Sequence, residues 1–219
     1  MSINNKAKEL IVKILKETND SEKLGGFVND LSDIFWKGAD CTLIYNFYNQ
    51  CTQIVHYRSL SFVIDEGPFE KCPKALPVIK KLLCNKDPRV VYYVMHQYAL
   101  LLKTQDELET LFSFLDSSEH SHRMRAITSL IAIVDNKQIK LLPTFYMKNK
   151  FNLVQLINDK NSIHTVTYIK EEITKSNEVN KKILFIYAAI KKFSQKDLKE
   201  IAQLSESVDI FDYYHTYLE

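Results

Sequence analysis

The chain contains no glycine after Gly67, and its four glycines, Gly25, Gly26, Gly38 and Gly67, all fall in the first third. Phosphate-cradling loops, dinucleotide fingerprints and nucleophile elbows need glycine where the backbone turns sharply or approaches a ligand closely. None of those motifs is present. What fills the sequence instead is a train of short amphipathic segments with helical apolar spacing and no competing period of two. The reading is all-α, with about ten helices.

The first helix is expected from about Asn5 to Thr18, with Ala7, Leu10, Ile11, Ile14 and Leu15 on one face. Gly25-Gly26 is read as a break, followed by a helix through Phe27, Leu31, Ile34 and Phe35. Asp40 suits an N-cap for a long third helix that carries Leu43, Ile44, Phe47, Cys51 and Ile54 inward. The single tryptophan, Trp36, is read as core. Gly67-Pro68, reinforced by Pro73, marks the main boundary. Beyond it come helix pairs: a helix with Pro73 in its first turn, running through Leu76, Ile79, Leu82 and Leu83, with Arg89 to Lys103; Asp106 to Leu115 with His122 to Val134; and Phe151 to Ile157 with Ile163 to Ile173. Ser176 and Ser194 look like caps of two further helices, and the last begins near Ser207.

The stretches PVIKKLLCNKDPRVVYYVMHQYALLL and TLFSFLDSSEHSHRMRAITSLIAIV resemble HEAT or armadillo units, with LVQLINDKNSIHTVTYI a weaker third. Asp87, Pro88 and Val90 carry the likeness in the first unit, and Asp116, Met124 and Arg125 in the second. The resemblance spans about residues 73–175 and implies a right-handed helical-repeat array in one helical domain. Residues 1–67 would form an atypical N-terminal portion and 176–219 capping helices. The helix-pair spacing is shorter than the usual HEAT period of about 40.

Composition sets the remaining bounds. At 46% hydrophobic and 26% charged the chain is an ordinary globular sequence. The opening MSINNKAKEL lacks the apolar core of a signal peptide, and the longest apolar run, Ile183 to Ile190, is far short of the roughly 20 residues of a membrane span. Cytoplasmic location and no membrane contact are the expectation. Cys41 and Cys51 fall in one expected helix, too far apart to bridge, so the four cysteines are read as buried reduced thiols. Net charge is +2. Residues 74–150 carry twelve basic and seven acidic residues, a modest excess that gives nucleic-acid binding little support.

No metal-ligand spacing accompanies His120-x-His122, and no nucleophile–base motif appears in recognisable context. The expectation is a protein without cofactor, metal or catalysis. In α-solenoids the second helix of each pair lines the concave face. Taking Val91, Val94, Tyr98 and Leu101 as one inward stripe, Met124, Ile127, Ile131 and Val134 as the next, and Ile163, Val166, Ile169 and Ile173 as the third leaves one outward strip. Its candidate partner-binding residues are Arg89, Tyr93, His96, Arg125, His164 and Tyr168, with His122 and Ser129 also outward. Tyrosine and arginine are the types enriched at interface hot spots.

The C-terminal SESVDIFDYYHTYLE, with no lysine or arginine from Ile201 onward, offers an alternative surface through Asp209, Asp212, Tyr213 and Glu219. It suits a basic partner such as a nuclease. The competing reading is a capping helix that buries Val208, Phe211, Tyr214 and Leu218 while its charges face water. Together these features point to stoichiometric protein binding, with bacterial immunity proteins that neutralise a toxin as the concrete class. An adaptor or assembly scaffold, and a nucleic-acid protein like the helical-repeat DNA glycosylases, are the alternatives.

Overall fold

The computed structural model describes residues 2–135 and 166–219, and within them every regular element is helical, with no strand. The chain divides into two compact units, Met1–Leu102 and Lys103–Glu219. The sequence likeness quoted above for residues 153–169 falls mostly outside the described residues, as do Phe151 to Ile157, Ile163 and His164.

The first unit holds α1 (Ile3–Lys16), α2 (Ser21–Trp36), α3 (Leu43–Gln50), α4 (Ile54–Glu66), α5 (Leu76–Leu83) and α6 (Pro88–Leu101). Apolar residues spaced three and four apart turn Ala7, Leu10, Ile11 and Ile14 inward from α1, where they meet α2. α4 packs against both α2 and α6, so the helices on either side of Gly67-Pro68 share one core. Leu31, Phe35, Ile44, Phe47, Leu60, Ile64, Ile79 and Val94 lie at its centre.

Three local expectations are corrected here. Gly25 and Gly26 do not break the chain but sit inside α2. Asp20 caps that helix by accepting the Lys23 N–H at 3.0 Å, and the helix tolerates the entropic cost of about 1 kcal/mol per glycine. The long third helix is two helices, α3 and α4. His56 Nδ1 accepts the Thr52 and Gln53 N–H groups at 3.2 and 3.4 Å, satisfying the backbone donors at a fresh helix start and leaving Ile54 46% exposed. Trp36 is not core. Phe35 takes the inward position, edge-on to Phe69 at 5.0 Å. One residue further round the helix, Trp36 is 56% exposed and donates its indole N–H to the Glu66 carbonyl at 2.7 Å.

The cysteines are also corrected. Cys41, just after α2, and Cys72, just before α5, form a disulfide with their Cα atoms 6.5 Å apart. Cys51 is a buried thiol and Cys84 an exposed one. The pairing joins two connecting segments 31 residues apart, and disulfides of this kind belong mainly to oxidising environments. No described helix is long and apolar enough to cross a membrane.

The second unit contains α7 (Gln105–Ser113), α8 (His120–Asp135), α9 (Val166–Lys175), α10 (Glu178–Ile190), α11 (Gln195–Ser205) and α12 (Val208–Tyr217). Thr104 and Glu107 form a capping box at the start of α7. α8 is covered from several sides, by α7, the turn at 114–116, α10 and α12. Its buried face is therefore broader than a single stripe and includes His122, Ala126, Ile127, Ser129, Leu130 and Ile133. His122 and Ser129, expected outward, are inside, whereas Met124 and Ile131 are only half-buried.

Candidate functional site

Helix α6 is built to present one face inward and one to a groove. Pro88 fits the first helical turn, where its missing N–H costs nothing, and Asp87 caps the helix by accepting the Arg89 N–H at 2.9 Å. Arg58 of α4 donates through Nε to the other Asp87 oxygen at 2.8 Å, and its terminal nitrogen engages the same oxygen. Burial alone would push the Asp87 carboxyl up. The Arg58 and Arg89 hydrogen bonds and the Arg58 charge outweigh it and hold the group below the usual carboxylate range.

Val91, Val94, Tyr98 and Leu101 all face inward, as their spacing predicts. On the other side Arg89 is exposed, and Tyr93 and His96 are half-buried. The Tyr93 ring lies edge-on to Phe62 of α4 at 5.4 Å and to Tyr92 at 5.6 Å. Leu24 and Val28 of α2, Val55 and Phe62 of α4, and Tyr93 line a groove along α2, α4 and α6, with Arg58 and Arg89 beside them. Gly25 contributes to its wall, and a Cβ built there meets nothing within 4 Å. The absence of side-chain bulk at Gly25 keeps that wall open.

Arg89 and Tyr93 thus share a groove, and His96 follows one turn further along α6. Arg125 on α8 and Tyr168 on α9 belong to the second unit, where both are half-buried, and His164 lies outside the described residues. Phe62 and Arg58, which complete the groove, carry no distinguishing signal in the sequence, because their helix reads as ordinary amphipathic core.

The alternative, C-terminal residues separate into two groups. Asp209 and Tyr213 are buried, the latter against Phe185 at 5.9 Å. Asp212 is half-buried, and Glu219 is exposed between His215 and Lys199. Asp209 accepts from Arg123 Nε at 2.7 Å, pairs with Lys182 Nζ at 2.6 Å and meets His120 Nδ1 at 2.8 Å. Lys182 also donates to the Leu115 carbonyl at 2.8 Å, and Arg123 to the Ser117 carbonyl at 2.7 Å. Burial pushes the Asp209 carboxyl up. The Arg123, Lys182 and His120 contacts prevail and hold it below its ordinary value.

This network turns α12 about its axis relative to the capping-helix expectation. Asp209, Ile210, Tyr213 and Tyr214 go inward, whereas Val208 is 69% and Phe211 44% exposed. Among the described residues no group of three or more His, Cys, Asp or Glu side chains is placed to hold a metal ion. His120 is instead committed to Asp209 and, through Nε2 at 3.2 Å, to Asp212. His122 sits inside with Nδ1 3.4 Å from the Ser117 hydroxyl.

The groove offers apolar area, an aromatic edge and an exposed guanidinium, which suits recognition of another protein's surface. No protein-family model matches the chain, and no curated protein or solved structure matches it either.

Proposed function

We infer that this chain is a protein-binding module that acts without catalysis, and that it is a bacterial immunity protein neutralising a cognate toxin by stoichiometric binding. The observation that carries the reading is the groove along α2, α4 and α6, where Arg89 and Tyr93 stand beside an open apolar floor. Arginine and tyrosine supply much of the affinity at protein interfaces, and an apolar floor desolvates their contacts. Each unit contains a short helix pair of the kind helical-repeat proteins use, α5–α6 in the first and α7–α8 in the second, and a HEAT-like, right-handed array is part of the proposal, an architecture that serves binding through stacked helical faces.

The test starts from gene neighbourhood: a toxin gene directly upstream is the expected finding, and its product is then co-expressed with this chain. Wild-type protein should restore growth and co-purify with the toxin in one-to-one stoichiometry. The Arg89→Ala/Tyr93→Ala variant should weaken the complex by roughly 1–4 kcal/mol per anchor, mainly through faster dissociation, while a cooperative thermal melt shows that it still folds. Growth arrest despite abundant wild-type protein rejects the immunity reading. An unchanged affinity for the double variant rejects the groove.

A further inference from the structure

The turn between α11 and α12 passes through Glu206 in the left-handed region, at φ 53°. A non-glycine residue adopts that conformation only when its surroundings demand it. Here the turn delivers Asp209 to Arg123 and Lys182, and the residues on either side are carried outward. Val208 and Phe211, three apart and so on one helical face, are exposed large apolar side chains. With Ala202 and Ser207 they border a concavity at the helix junction, flanked by Glu206 and Asp212.

A second observation lies in that concavity. Ser207 is 2% exposed, and its hydroxyl oxygen has no hydrogen-bond partner among the described residues. Its backbone N–H is satisfied by Ser205 Oγ at 3.1 Å.

The charge of the surface selects the occupant. No lysine or arginine follows Lys199 in the chain, and the exposed Glu206 and the Asp212 carboxylate, which meets His120 Nε2 at 3.2 Å and stays 45% exposed, give the border of the apolar pair an acidic character. Two copies paired through this patch would gather four carboxylates, Glu206 and Asp212 from each, in one interface, an unfavourable accumulation of like charge. We propose that the α11–α12 junction docks a basic amphipathic segment of a partner protein. Its apolar side chains cover Val208 and Phe211, and its lysines or arginines meet Glu206 and Asp212. This surface is independent of the groove on α6, and either can fail without the other.

The experiment uses the full chain and a synthetic amphipathic helix of leucine and lysine, followed by fluorescence anisotropy, with a matched leucine–glutamate helix as comparison. The lysine peptide should bind and weaken as salt rises. Val208→Ser/Phe211→Ser should cut its affinity roughly tenfold or more with an unchanged thermal melt. Asp30→Ser/Asp33→Ser, which removes exposed acidic charge from α2, should leave it intact. Equal binding of the glutamate peptide overturns the proposal, as does an equal loss from the α2 variant or wild-type affinity in the α12 variant. Sedimentation adds a further arm: self-association that disappears with V208S/F211S would assign the surface to a second copy and overturn the basic-partner proposal.

Discussion

The Lys182 ammonium meets the Asp209 carboxylate at 2.6 Å with both side chains almost wholly buried, 4% and 6% exposed. Two such charges survive inside a protein only when each is paired and its remaining hydrogen-bonding capacity is used. Lys182 uses the Leu115 carbonyl, and Asp209 uses Arg123 and His120. The cluster thereby ties the turn at 114–117 to α8, α10 and α12.

Removing one partner leaves the other charge stranded. Asp209→Ala is expected to destabilise the protein by about 3–5 kcal/mol, read from urea midpoints. Lys182→Met with Asp209→Leu together should cost less than the sum of the two single changes, because the double variant leaves no uncompensated Lys182–Asp209 charge.

The same carboxylate makes stability depend on acid. Its folded pKa is lowered below the unfolded value of about 3.9. Its contribution is therefore fully present above the unfolded value and is lost as pH falls through the folded one. Thermal melts across the acid range should show a smaller loss of stability in Asp209→Asn than in wild type. Parallel curves for the two proteins would contradict this assignment.

Arg58 and Asp87 form the second test. Asp87 both caps α6 and pairs with Arg58, so Asp87→Ala should cost about 1–2 kcal/mol from the cap plus the lost ion pair. Arg58→Ala should cost less, since Arg58 is 42% exposed and water recovers part of what the pair loses. A double-mutant cycle by urea unfolding measures the coupling.

The Cys41–Cys72 bridge predicts two free thiols among four cysteines under non-reducing denaturation. In the folded protein only Cys84 should react quickly, because Cys51 is buried and its thiol is pushed up to about 12. Cys41→Ser/Cys72→Ser should lower stability by roughly 2–4 kcal/mol, the range for closing a loop of this length.

Glycine offers opposite outcomes within α2 and at Gly67. Gly25→Ala and Gly26→Ala should each stabilise α2 by about 0.5–1 kcal/mol, since a Cβ there meets nothing. At Gly67 a Cβ would lie 2.8 Å from the Val63 carbonyl oxygen and 2.6 Å from the Phe69 ring, so Gly67→Ala should lower the melting temperature. Gly25→Phe should fill the groove wall and weaken partner binding while α2 remains folded.

Helix identity was readable because spacing of three and four is a local property. The four residues assigned to the inward stripe of α6 are all buried. Spacing failed where a helix is covered on several sides or apolar all round. α8 is the first case, and His122 and Ser129 went inside. α12 is the second: Val208, Ile210, Phe211, Tyr213 and Tyr214 permit two inward faces of similar quality. Half of the groove was visible, in Arg89 and Tyr93 on one helix. Phe62 and Arg58 were not, because nothing local distinguishes them from other residues of an amphipathic helix.

The sequence by itself determined the all-helical character of the described residues, the cap at Ser194 and which face of α6 is core, since each follows from neighbours within a few residues. The tertiary structure alone decided that Cys41 meets Cys72, that Phe35 rather than Trp36 enters the core, and that Asp209 goes inward while Val208 and Phe211 stay out. Those outcomes depend on groups 27 to 89 residues apart in the chain. The energy of a buried carboxylate is set by whether Arg123 and Lys182 arrive beside it, which no local pattern in α12 encodes.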